Sequence, residues 1–277
     1  MDLTTVADHA QSIRHNIIDM IHEAGSGHPG GSLSAADIMA ALYFGGIVEY
    51  DPQNPDDPDR DRVIMSKGHA APALYATLAE AGYIAHEELK TLRKLGTRLQ
   101  GHPDSNLLPG VEVSTGSLGQ GLSIAAGLAA GLKLDASPHH VYTVLGDGEC
   151  EEGQVWEAAT FAAFNNLDNL IAIVDQNGLQ IDGPVKEVCE IGSLCDKFKA
   201  FGWDVHEVDG HDLQALIAIL QTCKDTTSNK PQVVIATTIK GKGVSFMENQ
   251  AGWHGKAPND EQATQALKEI DGGSVCG

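Results

Sequence analysis

Val141-Tyr142-Thr143-Val144-Leu145 runs directly into Gly146-Asp147-Gly148, and Leu170-Ile171-Ala172-Ile173-Val174 runs into Asp175-Gln176-Asn177. Each stretch is five residues without a charge. A helical segment, 152–164, lies between them. Continuous apolar strands alternating with helices are the mark of a parallel sheet covered on both faces. Working outward, the same alternation recurs. Residues 62–66, 205–208 and 233–237 read as strands, and 193–200 and 212–223 as helices. The expected fold class is therefore α/β, with a mostly parallel central sheet and helices on both faces. In such a sheet Asp147 and Asn177 both fall on the carboxyl edge, where open α/β sheets bind ligands.

A carboxylate and an amide oxygen at neighbouring strand ends are hard donors suited to Mg²⁺. Two protein oxygens cannot fill an octahedral shell, so phosphate oxygens and water would complete it. Gly148 would let a diphosphate approach the backbone closely. Taken singly, Gly146-Asp147-Gly148 or Asn177 reads equally well as a turn. Their placement one βα unit apart is what points to a shared site.

The chain has 277 residues, of which 42% are apolar, with 38 acidic against 18 basic side chains and a formal charge of −20. The apolar share supports a sizeable core. The negative balance excludes nucleic acid and anionic membrane as natural partners, because both need clustered Lys and Arg. An anionic ligand is expected to meet His side chains and backbone amides rather than a basic patch. Five Cys form no C-x-x-C pair. A reducing compartment is the default. No secretory leader and no apolar run of roughly 20 residues is seen, so a cytoplasmic location is expected.

Toward the N-terminus, Val6, Ala10, Ile13, Ile17 and Ile21 recur at helical spacing over 5–24, with Gly25 as the stop. Ser34 reads as the N-cap of a second helix through Val48. Residues 51–61 read as a loop and 69–82 as a helix. The stretch 97–121 is rich in Gly, Pro, Ser and Asn, and so long an irregular segment suggests function. One domain over 1–270 is expected, followed by a flexible Gly-rich tail over 271–277. Lys240-Gly-Lys242-Gly lacks Walker spacing and is expected as a mobile loop over the site. Gly25-x-Gly27-x-x-Gly30 follows a helix rather than a strand, so it lacks the context of a dinucleotide fingerprint.

The unit Gly146-Asp147-Gly148…Asn177 resembles the diphosphate-binding motif of thiamine-diphosphate enzymes. Five further segments resemble, in order, those of transketolase: Ser26-Gly27-His28-Pro29-Gly30-Gly31, Ser66-Lys67-Gly68-His69-Ala70, Gly101-His102-Pro103, Thr115-Gly116-Ser117-Leu118-Gly119-Gln120-Gly121 and Trp253-His254-Gly255. The series covers nearly all of 10–260 and is far more specific than any one member. The resemblance implies a thiamine-diphosphate-binding fold and the cofactors thiamine diphosphate and Mg²⁺. It implies Asp147, Asn177 and the Leu179 carbonyl as metal ligands, with Gly146 and Gly148 beside the diphosphate. His69 and His254 would contact that diphosphate. Gly116, Ser117 and Leu118 would form a loop against the cofactor rings. His28, His102 and His254 would line the channel to the sugar. Glu152 matches a carboxylate that supports, across a subunit interface, the glutamate activating the cofactor. Cleaving a C–C bond beside a carbonyl is then the cofactor's work, and moving protons on sugar hydroxyls near neutral pH suits His.

A full-length transketolase is more than twice this long. The resemblance therefore implies a split enzyme, with a partner subunit carrying the pyrimidine-binding domain in an α2β2 assembly. It would transfer a two-carbon ketol unit from a ketose or its phosphate to an aldose. Two alternatives stand beside it. One is the alpha subunit of a 2-oxoacid dehydrogenase first component, which shares the Gly-Asp-Gly…Asn unit. The other is a non-catalytic cofactor-binding scaffold.

Overall fold

The computed structural model describes residues 2–272. The chain opens with α1 (Leu3–Ala24), capped by the Asp2 carboxylate on the Thr4 amide (3.0 Å) and ended by Gly25 at φ 63°. Two short helices follow, α2 (Pro29–Ser34) and α3 (Ala36–Phe44). Next come β1 (Arg62–Met65) and α4 (Ala71–Glu80), joined by a single 3-10 turn at Gly68–Ala70. The irregular stretch then leads into α5 (Gln120–Leu134), β2 (Val141–Gly146), α6 (Gly153–Phe164) and β3 (Leu170–Gln176). A small antiparallel ribbon, β4 (Leu179–Gln180) and β5 (Gly183–Pro184), precedes the one-turn α7 (Val185–Val188). The remaining elements are α8 (Leu194–Ala200), β6 (Asp204–Asp209), α9 (Leu213–Lys224), β7 (Gln232–Thr237) and α10 (Asp260–Gly272).

Five strands pair in the order β1-β2-β3-β7-β6, every pair parallel, as expected. Successive residues of a strand face opposite sides, and here they feed two separate cores. Val63, Met65, Tyr142, Val144, Ile171, Ile173, Val234 and Ala236 pack with α1, α3, α4, α9 and α10. Ile64, Val141, Leu145, Leu170, Ala172, Val174, Val233 and Ile235 pack with α5, α6 and α8. Both faces of β1, β2, β3 and β7 are therefore buried, which is why these strands show no polar alternation, while β6 at the sheet edge is polar and half-exposed.

Two expectations need correction. Ser34 is the last residue of α2, not an N-cap; α3 starts after Ala35 without a side-chain cap. Ser34 lies inside α2, where its backbone is already helical, and its hydroxyl donates to the buried Asp175 Oδ2 at 2.6 Å. Residues 271 and 272, expected to begin a tail, instead belong to α10, which continues to Gly272 with Ala263, Ala266 and Ile270 buried on one side. Residues 273–277 lie outside the described residues.

Candidate active site

Because β2 and β3 are parallel neighbours in register, Gly146 stands opposite Asp175, and the loops that follow them meet. The Asp147 carboxylate accepts from the Gly148 amide (2.9 Å) and from the Gly178 amide (2.6 Å) across the gap. The Asn177 side-chain oxygen accepts from the Leu179 amide (3.2 Å), and its nitrogen donates to Asp175 Oδ2 (3.2 Å). A cavity of about 210 Å³ opens here. Its lining includes His69, Leu118, Gly146, Asp147, Gly148, Asn177, Leu179 and His254, all singled out from the sequence. A Cβ on Gly148 would lie 2.6 Å from Gln180 Oε1, so the glycine also lets the β4 ribbon close over the loop.

The other residues surround this cavity. His28 lies 5.5 Å, centroid to centroid, from both His69 and His254, and 6.3 Å from His102; His69 and His254 stack at 5.0 Å. The structure thus gathers four imidazoles, drawn from four separate segments. Gly116 backs the His102 ring, with room for no Cβ. Ser117 is exposed, and so is Glu152, at the start of α6 outside the cavity lining.

Several site residues escaped the sequence reading. Lys67 and Lys240 are buried at 1% and 2% exposure and both line the cavity, so the site holds cations after all. Lys67 pairs with Asp175, which also accepts from Ser34 and Thr238. Burial alone would raise the Asp175 carboxyl, but the Lys67 charge and these hydrogen bonds outweigh it and hold it low. Glu149 is the second hub. It accepts from Ser66 Oγ (2.5 Å), the Gly119 amide (2.9 Å) and the Gly146 amide (3.0 Å), tying the ends of β1 and β2 to the start of α5. Burial pushes its carboxyl up. The 240–243 loop is not the mobile cover expected. Gly241 N donates to Gly30 O (3.0 Å), and Lys240 O accepts from Asn249 N (2.9 Å). Lys240 Nζ reaches Leu179 O (3.0 Å) and His254 Nδ1 (2.9 Å).

Electrostatically, burial and then Asp175 push the Asp147 carboxyl up to about 6. A buried carboxylate short of countercharge, beside an amide oxygen and a main-chain carbonyl, is chemistry that fits a hard divalent cation. No cluster of three or more His, Cys, Asp or Glu side chains offers an alternative metal centre among the described residues. The imidazoles go the other way. Burial first, and neighbouring cations second, lower His28 to about 4, His254 to about 3 and His69 to about 2. All three are neutral near pH 7, next to two ammonium groups. That environment favours an anionic guest. The cavity combines an oxygen-donor corner for a cation with an imidazole and ammonium wall for phosphate-like oxygens.

Comparison with known proteins gives the same picture. Residues 6–273 match the family model described as transketolase, thiamine diphosphate binding domain. A 6-deoxy-6-sulfo-D-fructose transketolase subunit from a Clostridium species is 44% identical over 95% of this chain and 94% of its own length. An apulose-4-phosphate transketolase subunit from Phocaeicola vulgatus is 42% identical over 98% of this chain and 95% of its own. Among solved structures, a transketolase mutant from Pichia stipitis superposes with a TM-score of 0.91 at 33% identity; the match covers 97% of this chain but 41% of that one. Among the described residues no helix is long and apolar enough to cross a membrane.

Proposed function

The chain belongs to the transketolase thiamine-diphosphate-binding family, and from that premise we propose that it is the Mg²⁺–diphosphate-binding subunit of a two-chain transketolase. The enzyme would transfer a two-carbon ketol unit from a ketose or ketose phosphate to an aldose. The observation that carries this reading is the single cavity shared by Asp147, Asn177, Leu179, His69 and His254. In it, Asp147 Oδ, Asn177 Oδ1 and the Leu179 carbonyl would ligate Mg²⁺. His69, His254 and the Gly146–Gly148 backbone would hold the diphosphate, with Gly116, Ser117 and Leu118 against the cofactor's rings. When bound, thiamine diphosphate supplies the electron sink needed to break a C–C bond beside a carbonyl.

The chain's own residues have definite tasks in this scheme. Asp175, itself paired with Lys67, orients the Asn177 amide by accepting from its nitrogen, leaving Oδ1 free to face a metal. His28, His102 and His254 line the route from the surface and bind sugar hydroxyl and carbonyl oxygens. Neutral imidazoles suit that task, since each offers one N–H donor and one acceptor. Glu152, exposed at the start of α6 and outside the cavity lining, would meet the partner chain rather than the cofactor's diphosphate.

A partner follows from relatives of matching length that are themselves named as subunits. It would carry the pyrimidine-binding domain, in an α2β2 cytoplasmic assembly. The test is complementation. The chain alone should bind Mg²⁺–thiamine diphosphate weakly and transfer nothing, and addition of the partner should restore ketol transfer. Full activity from the single chain would overturn the split arrangement, and decarboxylation of a 2-oxoacid would identify a dehydrogenase component instead. Asp147→Ala should weaken Mg²⁺-dependent cofactor binding, measured by calorimetry, by more than about 100-fold, beyond what loss of an outer partner costs. Unchanged binding would remove the metal assignment.

A further inference from the structure

Arg93 is unlike every other arginine of the chain. Arg14 pairs with Asp37, Arg60 and Arg62 with Glu112, and Arg98 with Glu88. Arg93 has no carboxylate partner among the described residues, in a protein carrying a net charge of −20. It is exposed, and it holds φ 59°, a left-handed conformation uncommon for a residue with a side chain. Its amide donates to Leu99 O at 2.9 Å, which fixes the turn. The guanidinium runs beneath Gly101, where a Cβ would lie 2.9 Å from Cζ. From there Nη2 reaches His28 Nδ1 at 3.4 Å.

A guanidinium has donors and no acceptor. His28 Nδ1 must therefore accept, and the proton of the neutral ring must sit on Nε2. The same logic applies at His254. Lys240 Nζ, which burial lowers to about 8, is still mainly an ammonium near pH 7 and then can only donate; it lies 2.9 Å from His254 Nδ1 and leaves that ring's proton on Nε2 as well. Neither Nε2 has a protein partner among the described residues, and the two rings stand edge-on 5.5 Å apart. His211 shows that this arrangement is not general. Its Nε2 accepts from the Ile239 amide (2.9 Å), and its Nδ1 donates to Asp37 (2.6 Å).

We propose that Arg93 is a positioning residue that locks His28 as the Nε2–H tautomer, matching the lock Lys240 places on His254, so that the two rings offer a pair of hydrogen-bond donors to a substrate oxygen. The substrate part of this statement rests on the function proposed above; the tautomer lock does not. A carbonyl or hydroxyl oxygen between two N–H donors is polarised without any proton leaving the protein. Gly101 and the left-handed turn at Arg93 bring the guanidinium to the Nδ1 side of the ring.

The test reads the ring directly. In long-range ¹H–¹⁵N spectra of the full chain with labelled histidine at pH 7.5, His28, assigned by loss of its signals in His28→Gln, should show a protonated Nε2 and a bare Nδ1. Arg93→Met should turn this into a tautomer mixture while the His254 pattern stays as it is, which also reports that the fold is intact. Gly101→Ala, which pushes the guanidinium away without changing it, should do the same, and Arg93→Lys should keep much of the Nε2–H form. A wild-type His28 protonated on Nδ1, or an unchanged pattern in both Arg93→Met and Gly101→Ala, overturns the proposal. In the reconstituted enzyme Arg93→Met should lower kcat/KM for ketol transfer roughly 10-fold, as loss of an outer partner to a functional His does. Unchanged kcat/KM would refute the donor pair while leaving the transketolase reading intact. Failure of the wild-type pair to transfer any ketol would sink that reading without touching the spectra.

Discussion

The chain's twelve histidines fall into two populations. Away from the cavity, histidines face carboxylates: His9 and Glu80 at 3.1 Å, His15 and Asp271 at 3.0 Å, His22 and Asp260 at 2.9 Å, His211 and Asp37 at 2.6 Å. His86, His139 and His140 also have one within 4 Å, and His206 pairs with Gln232. Around the cavity, His28, His69, His102 and His254 have none among the described residues, and the charges beside them belong to Lys67, Lys240 and Arg93. In a chain so acidic, a carboxylate is the ordinary neighbour of an imidazole, and the carboxyl edge of the sheet reverses that rule. The reversal also marks a difference in burial. The site's ion pair, Lys67–Asp175, is shut away from water at 1% and 0% exposure, whereas surface pairs such as His15–Asp271 and Lys94–Glu23 keep both partners wet. A region that gathers cations and neutral rings in a dry cleft is built to receive negative charge.

The strongest way to break this comparison is at its buried pair. Asp175→Ala leaves the Lys67 ammonium, 1% exposed, without a counterion. It also orphans the Thr238 hydroxyl and leaves Ser34 only its longer bond to Gly31 O. Removing one partner of a buried pair costs about 3–5 kcal/mol. Urea unfolding should show a lowered midpoint at unchanged slope. A loss below about 1 kcal/mol would mean that the pair is effectively solvated and that the two regions do not differ as described.

That pair also shows where sequence reasoning runs out. Lys67 and Asp175 are 108 residues apart, and each follows an apolar run that reads simply as a strand reaching its end. Only the register of β1, β2 and β3 brings them together. The five strands of the main sheet and α1, α6, α8 and α9 were legible because their apolar patterns are local, whereas the two-residue strands β4 and β5 are too short to leave one. Asp147, Asn177 and the four imidazoles were legible because a parallel sheet puts strand ends on one edge and the Gly-rich motifs fall in a recognisable order. Helix α5 was not, since Gln120–Leu134 is dominated by Gly, Ala and Leu and presents no polar stripe. Lys240 was misjudged for a related reason. The two glycines that follow it, Gly241 and Gly243, suggest mobility, yet Gly241, at φ 79°, serves a tight turn against Met247 that drives the lysine inward.

A smaller effect sharpens the comparison by titration. Since burial and neighbouring cations hold His28 at about 4, against an ordinary value of 6.5, the unfolded chain binds the extra proton first as pH falls. His28 therefore contributes stability above about pH 6.5 and loses it as the pH drops through the window down to about 4. His254 and His69 act in the same sense, with windows reaching about 3 and about 2. NMR titration of the chain without cofactor should find all three rings neutral at pH 5.5. A ring among them with its midpoint at 6.5 or above would remove the reversal.

The least effect is expected where a salt bridge looks equally good on geometry alone. Lys133 Nζ lies 2.7 Å from Asp168 Oδ1, joining the end of α5 to the loop before β3, with side chains 40% and 29% exposed. Distance does not separate this contact from Lys67–Asp175; hydration does. Water already solvates both ends of the exposed pair, so breaking it exchanges one set of contacts for another and costs about 0–1 kcal/mol. Lys133→Ala measured beside Asp175→Ala in the same urea series therefore isolates burial as the variable. If the two losses came out alike, the dry carboxyl edge would be no different from the wet surface, and the electrostatic case for an anion-receiving cleft would lose its footing.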